Sequence, residues 1–159
     1  MSEILWCADN GDGTYRNPVL YCDYSDPDAI CVNGTYYLTA STFNYVPGLP
    51  ILTSRDLVNW KLRNYAVKNI PEARYAAPQH AQGIWAPAIR FQNGRFYIYY
   101  GMPDEGIYMV STENPLGDWD TPVLVKPGKG LIDPCPFWDD DGRTYIIPFF
   151  FFFFFFFFF

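Results

Sequence analysis

Two aspartates, Asp26 and Asp133, each stand directly before a proline and have the chemistry to act as acid–base groups. Breaking a glycosidic bond needs two carboxyl groups across the bond, one to donate a proton and one to activate water or attack the sugar. Asp-Pro also commonly starts a turn, and a turn is the better explanation for either aspartate alone. Both aspartates open the same repeated pattern, and Trp85 opens the intervening copy, which favours one shared pocket.

Each copy of the pattern continues with a short apolar strand, a tight turn and an aromatic strand. The turns are Asn33-Gly34, Asn93-Gly94 and Asp141-Gly142, which predict three β-hairpins. The first two copies then read as apolar strand, serine, acidic turn and tryptophan. Gly34 and Gly94 are 60 residues apart and Trp60 and Trp119 are 59 apart, whereas Gly94 and Gly142 are 48 apart, so one connecting loop must be shorter.

The repeating unit has four strands, which is the size of a propeller blade. The sequence therefore predicts an all-β propeller fold with two nearly complete blades and the start of a third. In a radial fold the starts of the copies meet at the axis. Because a closed propeller needs at least about four blades, residues 1–148 are expected to form the front part of one larger domain.

The chain ends in an unbroken run of 11 phenylalanines, residues 149–159. The run has no period, turn residue or charge, and it is shorter than the roughly 20 residues of a spanning helix. It is interpreted as an artefact that packs poorly or projects from the body, against the alternative of a real hydrophobic tail. The remaining aromatic residues suit stacking on sugar rings, although any single one is better explained as β core.

Composition argues against several classes of protein. The net charge is −6, with 17 acidic and 11 basic residues, which does not fit a nucleic-acid surface. No basic amphipathic segment indicates a membrane partner, and the first residues lack signal-peptide features, which predicts a cytoplasmic protein. The four cysteines have no metal-ligand spacing, so no metal is expected in this chain and the thiols are predicted to be reduced and mostly buried. They are Cys7, Cys22, Cys31 and Cys135.

Several short segments occur in an order that resembles glycoside hydrolase family 43. They are Asn17-Pro18-Val19-Leu20, Asp26-Pro27-Asp28, Pro47-Gly48-Leu49-Pro50-Ile51-Leu52, Asp56-Leu57-Val58-Asn59-Trp60, Gly83-Ile84-Trp85-Ala86-Pro87 and Gly130-Leu131-Ile132-Asp133-Pro134. The resemblance covers nearly everything from Asp9 to Tyr145. It implies a five-bladed propeller, here an N-terminal fragment, and an inverting enzyme of the β-xylosidase or α-L-arabinofuranosidase kind.

The resemblance also implies roles for individual residues. Asp26 matches the general base that activates water. Asp133 matches the aspartate that raises the pKa of the general acid and helps to orient it. Trp85 matches an aromatic at the pocket wall, and Phe43 matches one at the pocket floor. Ser25 and Cys135 depart from the family's usual proline and serine but leave these roles intact.

The general acid of the family is a glutamate in a Glu-Gly-Pro segment, which this chain lacks. The nearest match, Glu105-Gly106-Ile107, falls inside the second hairpin and is not assigned the role. A calcium or water site near a later histidine of the full-length fold is missing as well. His80, the only histidine, is a candidate for the leaving-group subsite, although a satisfied loop histidine is the favoured reading.

The expected function is therefore that of a fragment of an inverting glycosidase that acts on pentose-containing plant polysaccharides or oligosaccharides. The fragment is expected to be inactive without its acid. The alternatives are a carbohydrate-binding propeller that has lost catalysis and a non-functional gene product. The sequence does not choose between xylose and arabinose.

Overall fold

The computed structural model describes residues 6–70 and 72–150. Within these ranges the chain is all-β, with ten strands and one 3₁₀ helix at Ala73–Ala76. The strands are β1 (Asp28–Val32), β2 (Thr35–Thr39), β3 (Gly48–Ser54), β4 (Lys61–Val67), β5 (Trp85–Gln92), β6 (Arg95–Met102), β7 (Gly106–Thr112), β8 (Val123–Pro127), β9 (Leu131–Trp138) and β10 (Thr144–Phe150). In this part of the chain, no helix is long and apolar enough to cross a membrane.

The strands form two four-stranded sheets, in the orders β1-β2-β3-β4 and β5-β6-β7-β8, and a two-stranded sheet of β9 and β10. Every neighbouring pair is antiparallel. The predicted all-β class and the three predicted hairpins are confirmed. The first strand of each sheet packs beside the first strand of the next, β1 beside β5 and β5 beside β9.

The first two hairpins turn as their sequences require. Asn33 and Gly34 have φ of 50° and 71°, and Asn93 and Gly94 have φ of 51° and 80°, which is the left-handed pair of a type I′ turn. The third hairpin has a longer loop. The Gly142 N–H donates to the Asp139 carbonyl at 3.0 Å, and only Gly142 of that turn takes a positive φ, 79°.

The second half of the repeat is also present in both four-stranded sheets. Trp60 Nε1 donates to the Leu57 carbonyl at 2.9 Å, and Trp119 Nε1 donates to the Pro115 carbonyl at 3.2 Å. The uneven spacing of the turns has its cause in the connections between sheets. Residues 68–84 join β4 to β5, whereas residues 128–130 alone join β8 to β9.

The central strands of the second sheet, β6 and β7, are buried on both faces, and the side chains of β6 alternate between two cores. Phe96, Ile98 and Tyr100 face the core shared with the first sheet, while Tyr97 and Tyr99 face the core shared with the β9–β10 sheet. The first core also takes Ile30, Val32 and Tyr37 from β1 and β2 and Leu49, Ile51 and Val67 from β3 and β4. The second takes Leu131, Trp138 and Ile146.

Strand β10 runs through the boundary that the sequence analysis placed at residue 148. Phe149 pairs with Ile132 and Phe150 with Leu131, so the first two phenylalanines of the run belong to the β9–β10 sheet. Their side chains are half exposed, as is that of Phe137 on the same sheet. Residues 151–159, where most of the predicted tail falls, lie outside the described residues.

The prediction of mostly buried cysteines is wrong. Cys7, Cys22, Cys31 and Cys135 are free thiols and all are exposed. Strand alternation explains the two that lie in strands. Cys31 stands between Ile30 and Val32, which face the first core, and therefore points to the opposite face of the sheet.

An isolated bridge between Thr42 and Ile84 joins the loop after β2 to the segment before β5. Beside it, a Cβ on Gly83 would lie 2.6 Å from the Thr42 carbonyl oxygen and 2.7 Å from that of Phe43. We expect Gly83→Ala to destabilise the chain by about 1–3 kcal/mol, the usual cost of overpacking, measured by urea unfolding.

Gly117→Ala is the matched control. Its Cβ would lie 3.0 Å from the amide nitrogen of Asn114, a side chain that can move aside. An equal loss of stability in both variants would show that the bridge at Gly83 is not tightly constrained.

Candidate active site

The three sheets begin in the same unusual backbone conformation. Asp26, Ala86 and Asp133 each precede a proline and have φ of 48°, 34° and 51°, the left-handed region that residues with a Cβ seldom adopt. The residue equivalent to the two aspartates is therefore Ala86, whereas the sequence pattern had placed Trp85 there. We call these three positions the corners of the sheets.

The two corner carboxyls are close enough to interact electrostatically. Partial desolvation of the carboxyl raises the pKa of Asp133 above its ordinary value, and the negative charge of Asp26 raises it further. Both residues are exposed, so the pair faces solvent rather than an enclosed cavity. Two interacting carboxyl groups open to solvent form an arrangement that can bind and activate water.

A serine that the sequence analysis did not select holds the Asp26 carboxylate. Ser41 Oγ donates to Asp26 Oδ2 at 2.8 Å and accepts the Ala86 N–H at 2.8 Å. Its backbone N–H donates to the Ser25 carbonyl at 2.9 Å. In the sequence, only the position of Ser41 two residues before the predicted pocket residue Phe43 could have indicated a role at the site.

The two predicted pocket aromatics are brought together. Phe43 and Trp85 meet edge to face, with ring centroids 5.3 Å apart and an interplanar angle of 79°. Trp85 Nε1 donates to the Ala81 carbonyl at 3.0 Å. The Thr42–Ile84 bridge directly precedes both rings in the chain, so the ring pair adjoins Ser41 on one side and the Ala86 corner on the other.

His80 lies on the connection between β4 and β5, and its side chain is exposed. The next residue, Ala81, is held at both ends. Its N–H donates to Asn44 Oδ1 at 2.7 Å, and its carbonyl accepts from Trp85. The backbone beside His80 is therefore fixed next to the aromatic pair.

The sequence from residue 15 to residue 148 matches the pattern described as Glycosyl hydrolases family 43. The chain belongs to this family. It is 45% identical over 140 residues to a Xylanibacter ruminicola protein named "Putative beta-xylosidase", in a match that covers 87% of this chain and 26% of the relative. It is 36% identical over 151 residues to a non-reducing end α-L-arabinofuranosidase of Bacteroides ovatus, covering 90% of this chain and 28% of the relative.

Solved structures agree. The family 43 protein BlXynB of Bacillus licheniformis superposes with a TM-score of 0.74 at 32% identity, over 84% of this chain and 28% of that one. A xylan β-1,4-xylosidase of Bacillus halodurans gives 0.68 at 30% identity, over 82% of this chain and 26% of that one. The chain thus spans about a quarter of the length of the curated relatives it matches.

Glu105, whose sequence context is the nearest match to the family's acid motif, forms an ion pair with Arg74. Arg74 contacts Glu105 Oε1 at 2.5 Å and Asp104 Oδ2 at 2.8 Å. Burial raises the pKa of Glu105, and the charge of Arg74 acts in the opposite direction. With its carboxylate paired to a guanidinium, Glu105 serves to fasten the β4–β5 connection to the turn between β6 and β7.

That fastened connection borders a cleft of about 230 Å³ next to the aromatic pair. Tyr75 donates its hydroxyl proton to the Gln82 carbonyl at 2.5 Å, which closes residues 75–82 into a compact loop. The cleft is lined among others by Phe43, Asn44, Tyr45, Tyr75, Pro78 and Gln79.

Asp28, the second aspartate of Asp26-Pro27-Asp28, joins the first two sheets. Asp28 Oδ2 accepts from Arg90 Nη1 at 2.6 Å and from the Ile89 N–H at 2.9 Å. This contact holds β1 against β5 and so fixes the separation of the first two corners.

Among the residues that the structure describes, no three His, Cys, Asp or Glu side chains group as metal ligands. The calcium that the family resemblance implies belongs near a later histidine. The residues that the structure describes do not form that site.

We expect Asp133→Asn to raise the unfolding temperature at pH 7. The raised pKa means that ionised Asp133 is less favourable in the folded chain than in the unfolded chain, so stability falls as the pH rises through this carboxyl's titration. At pH 3, below the unfolded value of about 3.9, both states are protonated and the gain disappears.

Thermal unfolding at the two pH values checks this expectation. Asp140→Asn is the control, because Asp140 lies exposed in the β9–β10 turn. A gain at pH 7 that is equal in both variants would trace to net charge rather than to the site.

Proposed function

We propose that this chain supplies the base side of an inverting glycoside hydrolase that acts on xylosyl or arabinofuranosyl ends of plant polysaccharides and oligosaccharides. Asp26 is the general base and Asp133 modulates the acid. The observation that supports this best is that Ser41 ties the Asp26 carboxylate to the Ala86 corner next to the Phe43–Trp85 pair, while the charge of Asp26 acts on the carboxyl of Asp133.

In this mechanism Asp26 accepts a proton from the water that attacks the anomeric carbon. Its backbone corner and its hydrogen bond from Ser41 fix the direction in which the carboxylate faces. Fixing the base in advance lowers the entropic cost of aligning water with the sugar.

Asp133 acts through its charge. A negative charge close to a carboxylic acid disfavours ionisation of that acid, which keeps it protonated and able to donate to the leaving group. The charge of Asp26 raises the pKa of Asp133, which supports this role for a charge at a neighbouring corner.

The Phe43–Trp85 pair forms an apolar wall suited to the hydrophobic face of a small sugar ring. His80 extends this wall towards the leaving-group side. The names of the relatives include both a β-xylosidase and an α-L-arabinofuranosidase, and the wall accepts either pentose.

The remaining blades of a five-bladed propeller, with the Glu-Gly-Pro acid, complete the site in this proposal. The chain has no such segment, so its carboxyl pair lacks the proton donor. The second candidate function is a carbohydrate-binding propeller without catalysis. The same absence of the acid favours it, because the aromatic wall that could bind a sugar is present in this chain while the proton donor is not.

We expect the 159-residue chain not to hydrolyse unactivated xylo- or arabino-oligosaccharides at a useful rate. General acid assistance is worth about 10²–10⁴-fold, and here the departing oxygen would leave unprotonated. The purified chain is incubated with an oligosaccharide and with a nitrophenyl pentoside, whose leaving group needs little protonation, and released sugar is measured by chromatography.

Rapid hydrolysis of the oligosaccharide would show that an acid exists within this chain, and Glu105→Gln would then be tested first. Faster hydrolysis of the nitrophenyl substrate relative to the oligosaccharide is the expected pattern. A chain that binds the oligosaccharide and hydrolyses neither substrate supports the binding alternative.

The role of Asp26 is tested in a chimera in which residues 15–148 replace the matching segment of the Formosa agariphila β-xylosidase, a relative 34% identical over 146 residues. We expect Asp26→Asn to abolish turnover and to leave sugar binding largely intact. The reason is that the amide keeps the shape of the side chain but cannot accept the proton of water.

Initial rates report turnover, and calorimetry with a xylo-oligosaccharide reports binding. Asp23→Asn, an exposed aspartate on the same segment, should behave like the unsubstituted chimera. Turnover retained by Asp26→Asn would mean that another residue is the base.

A further inference from the structure

Ser41 lies where the corners of the first and second sheets come together. Its side chain contacts Asp26 and the backbone of Ala86, both at 2.8 Å, and its own backbone contacts Ser25. These three contacts join the loop after β2 to two corners that are 60 residues apart in sequence.

The direction of these hydrogen bonds is determined by their chemistry. A backbone N–H can only donate, so the Ala86 N–H takes a lone pair of Ser41 Oγ. The single hydroxyl proton of Ser41 is then left for Asp26, whose ionised carboxylate only accepts. Because the hydroxyl oxygen accepts one bond while it donates another, each bond strengthens the other.

Burial makes this arrangement hard to replace with water. Ser41 is 5% exposed, and its neighbours Ala40 and Thr42 are 0% and 1% exposed. Asp26 is exposed. Ser41 therefore provides a fixed protein contact on one oxygen of a carboxylate that otherwise faces solvent.

We propose that Ser41 is a positioning residue that orients the Asp26 carboxylate, and that the Ala86 corner acts through it. The second sheet has no carboxylate at its corner, but the corner's N–H sets the hydroxyl that holds the base of the first sheet. The value of this orientation for catalysis rests on the proposed function of Asp26, whereas the orientation itself does not.

The test compares the full chain with Ser41→Ala and Ser41→Thr by NMR, using the three-bond couplings from the backbone to Asp26 Cγ that report χ1. We expect one rotamer in the unsubstituted chain, averaging over rotamers in Ser41→Ala, and one rotamer again in Ser41→Thr, which keeps the hydroxyl. An Asp26 that stays in one rotamer in Ser41→Ala overturns the proposal.

Ser111→Ala is the matched control. Ser111 is 7% exposed and its Oγ also donates to an aspartate, Asp120 Oδ2, at 2.7 Å. This control removes a comparable buried hydroxyl near the Asn93-Gly94 turn and should leave the couplings of Asp26 unchanged. A change at Asp26 equal to that in Ser41→Ala would mean that general loosening, not the contact, is responsible.

A second measurement needs no serine variant and applies even if Ser41→Ala does not fold. The hydroxyl proton of Ser41 should exchange slowly with water in the unsubstituted chain and rapidly in Asp26→Ala. Slow exchange in both proteins would show that Asp26 is not the acceptor and would overturn the proposal.

In the chimera, Ser41→Ala should lower kcat by about 10- to 100-fold, as expected for a misplaced catalytic group, with KM unchanged and Ser41→Thr restoring kcat. If the rotamers of Asp26 change as expected while no chimera turns over, the positioning by Ser41 stands and the proposed function fails. If turnover falls with Asp26 still fixed, the positioning fails and the proposed function stands.

Discussion

Burial of both faces of the central strands of the second sheet, β6 and β7, is the constraint on which the geometry of this chain depends. The side chains of β6 alternate between two cores, so the sheets on either side must pack against opposite faces of the same strands. Each neighbouring sheet then places its first strand beside the first strand of the second sheet. The corners at Asp26, Ala86 and Asp133 are drawn together by this packing, because each corner lies within three residues of the start of one of those strands.

The site lies where the fold is under strain. Residues other than glycine take left-handed φ at all three corners, and burial together with a like charge opposes ionisation of Asp133. Such features persist only when the surrounding structure enforces them. Here the enforcing contacts are the Thr42–Ile84 bridge and the ion pair of Asp28 with Arg90, which fix the relation of the first sheet to the second.

The sequence was sufficient to predict the hairpins and the repeat, since turn residues and register are local signals. It misplaced the repeat at Trp85 by one residue, because the signal that aligns the corners is the following proline and not the residue type. Ser41 and Arg74 were missed for a different reason. Ser41 contacts Asp26, 15 residues away, and Ala86 of the second sheet, and Arg74 contacts Glu105 in the turn between β6 and β7. Their roles therefore depend on packing that no local pattern encodes.

The corner of the second sheet raises the question of why a repeat should carry alanine where its two neighbours carry aspartate. A third carboxylate there would add like charge near Asp133, whose ionisation the charge of Asp26 already disfavours. Alanine avoids that cost while keeping the strained backbone, whose N–H supports Asp26 through Ser41. The three corners thus share one backbone conformation but differ in role. Two of them carry carboxyl groups, and the corner between them supplies a neutral backbone hydrogen-bond donor.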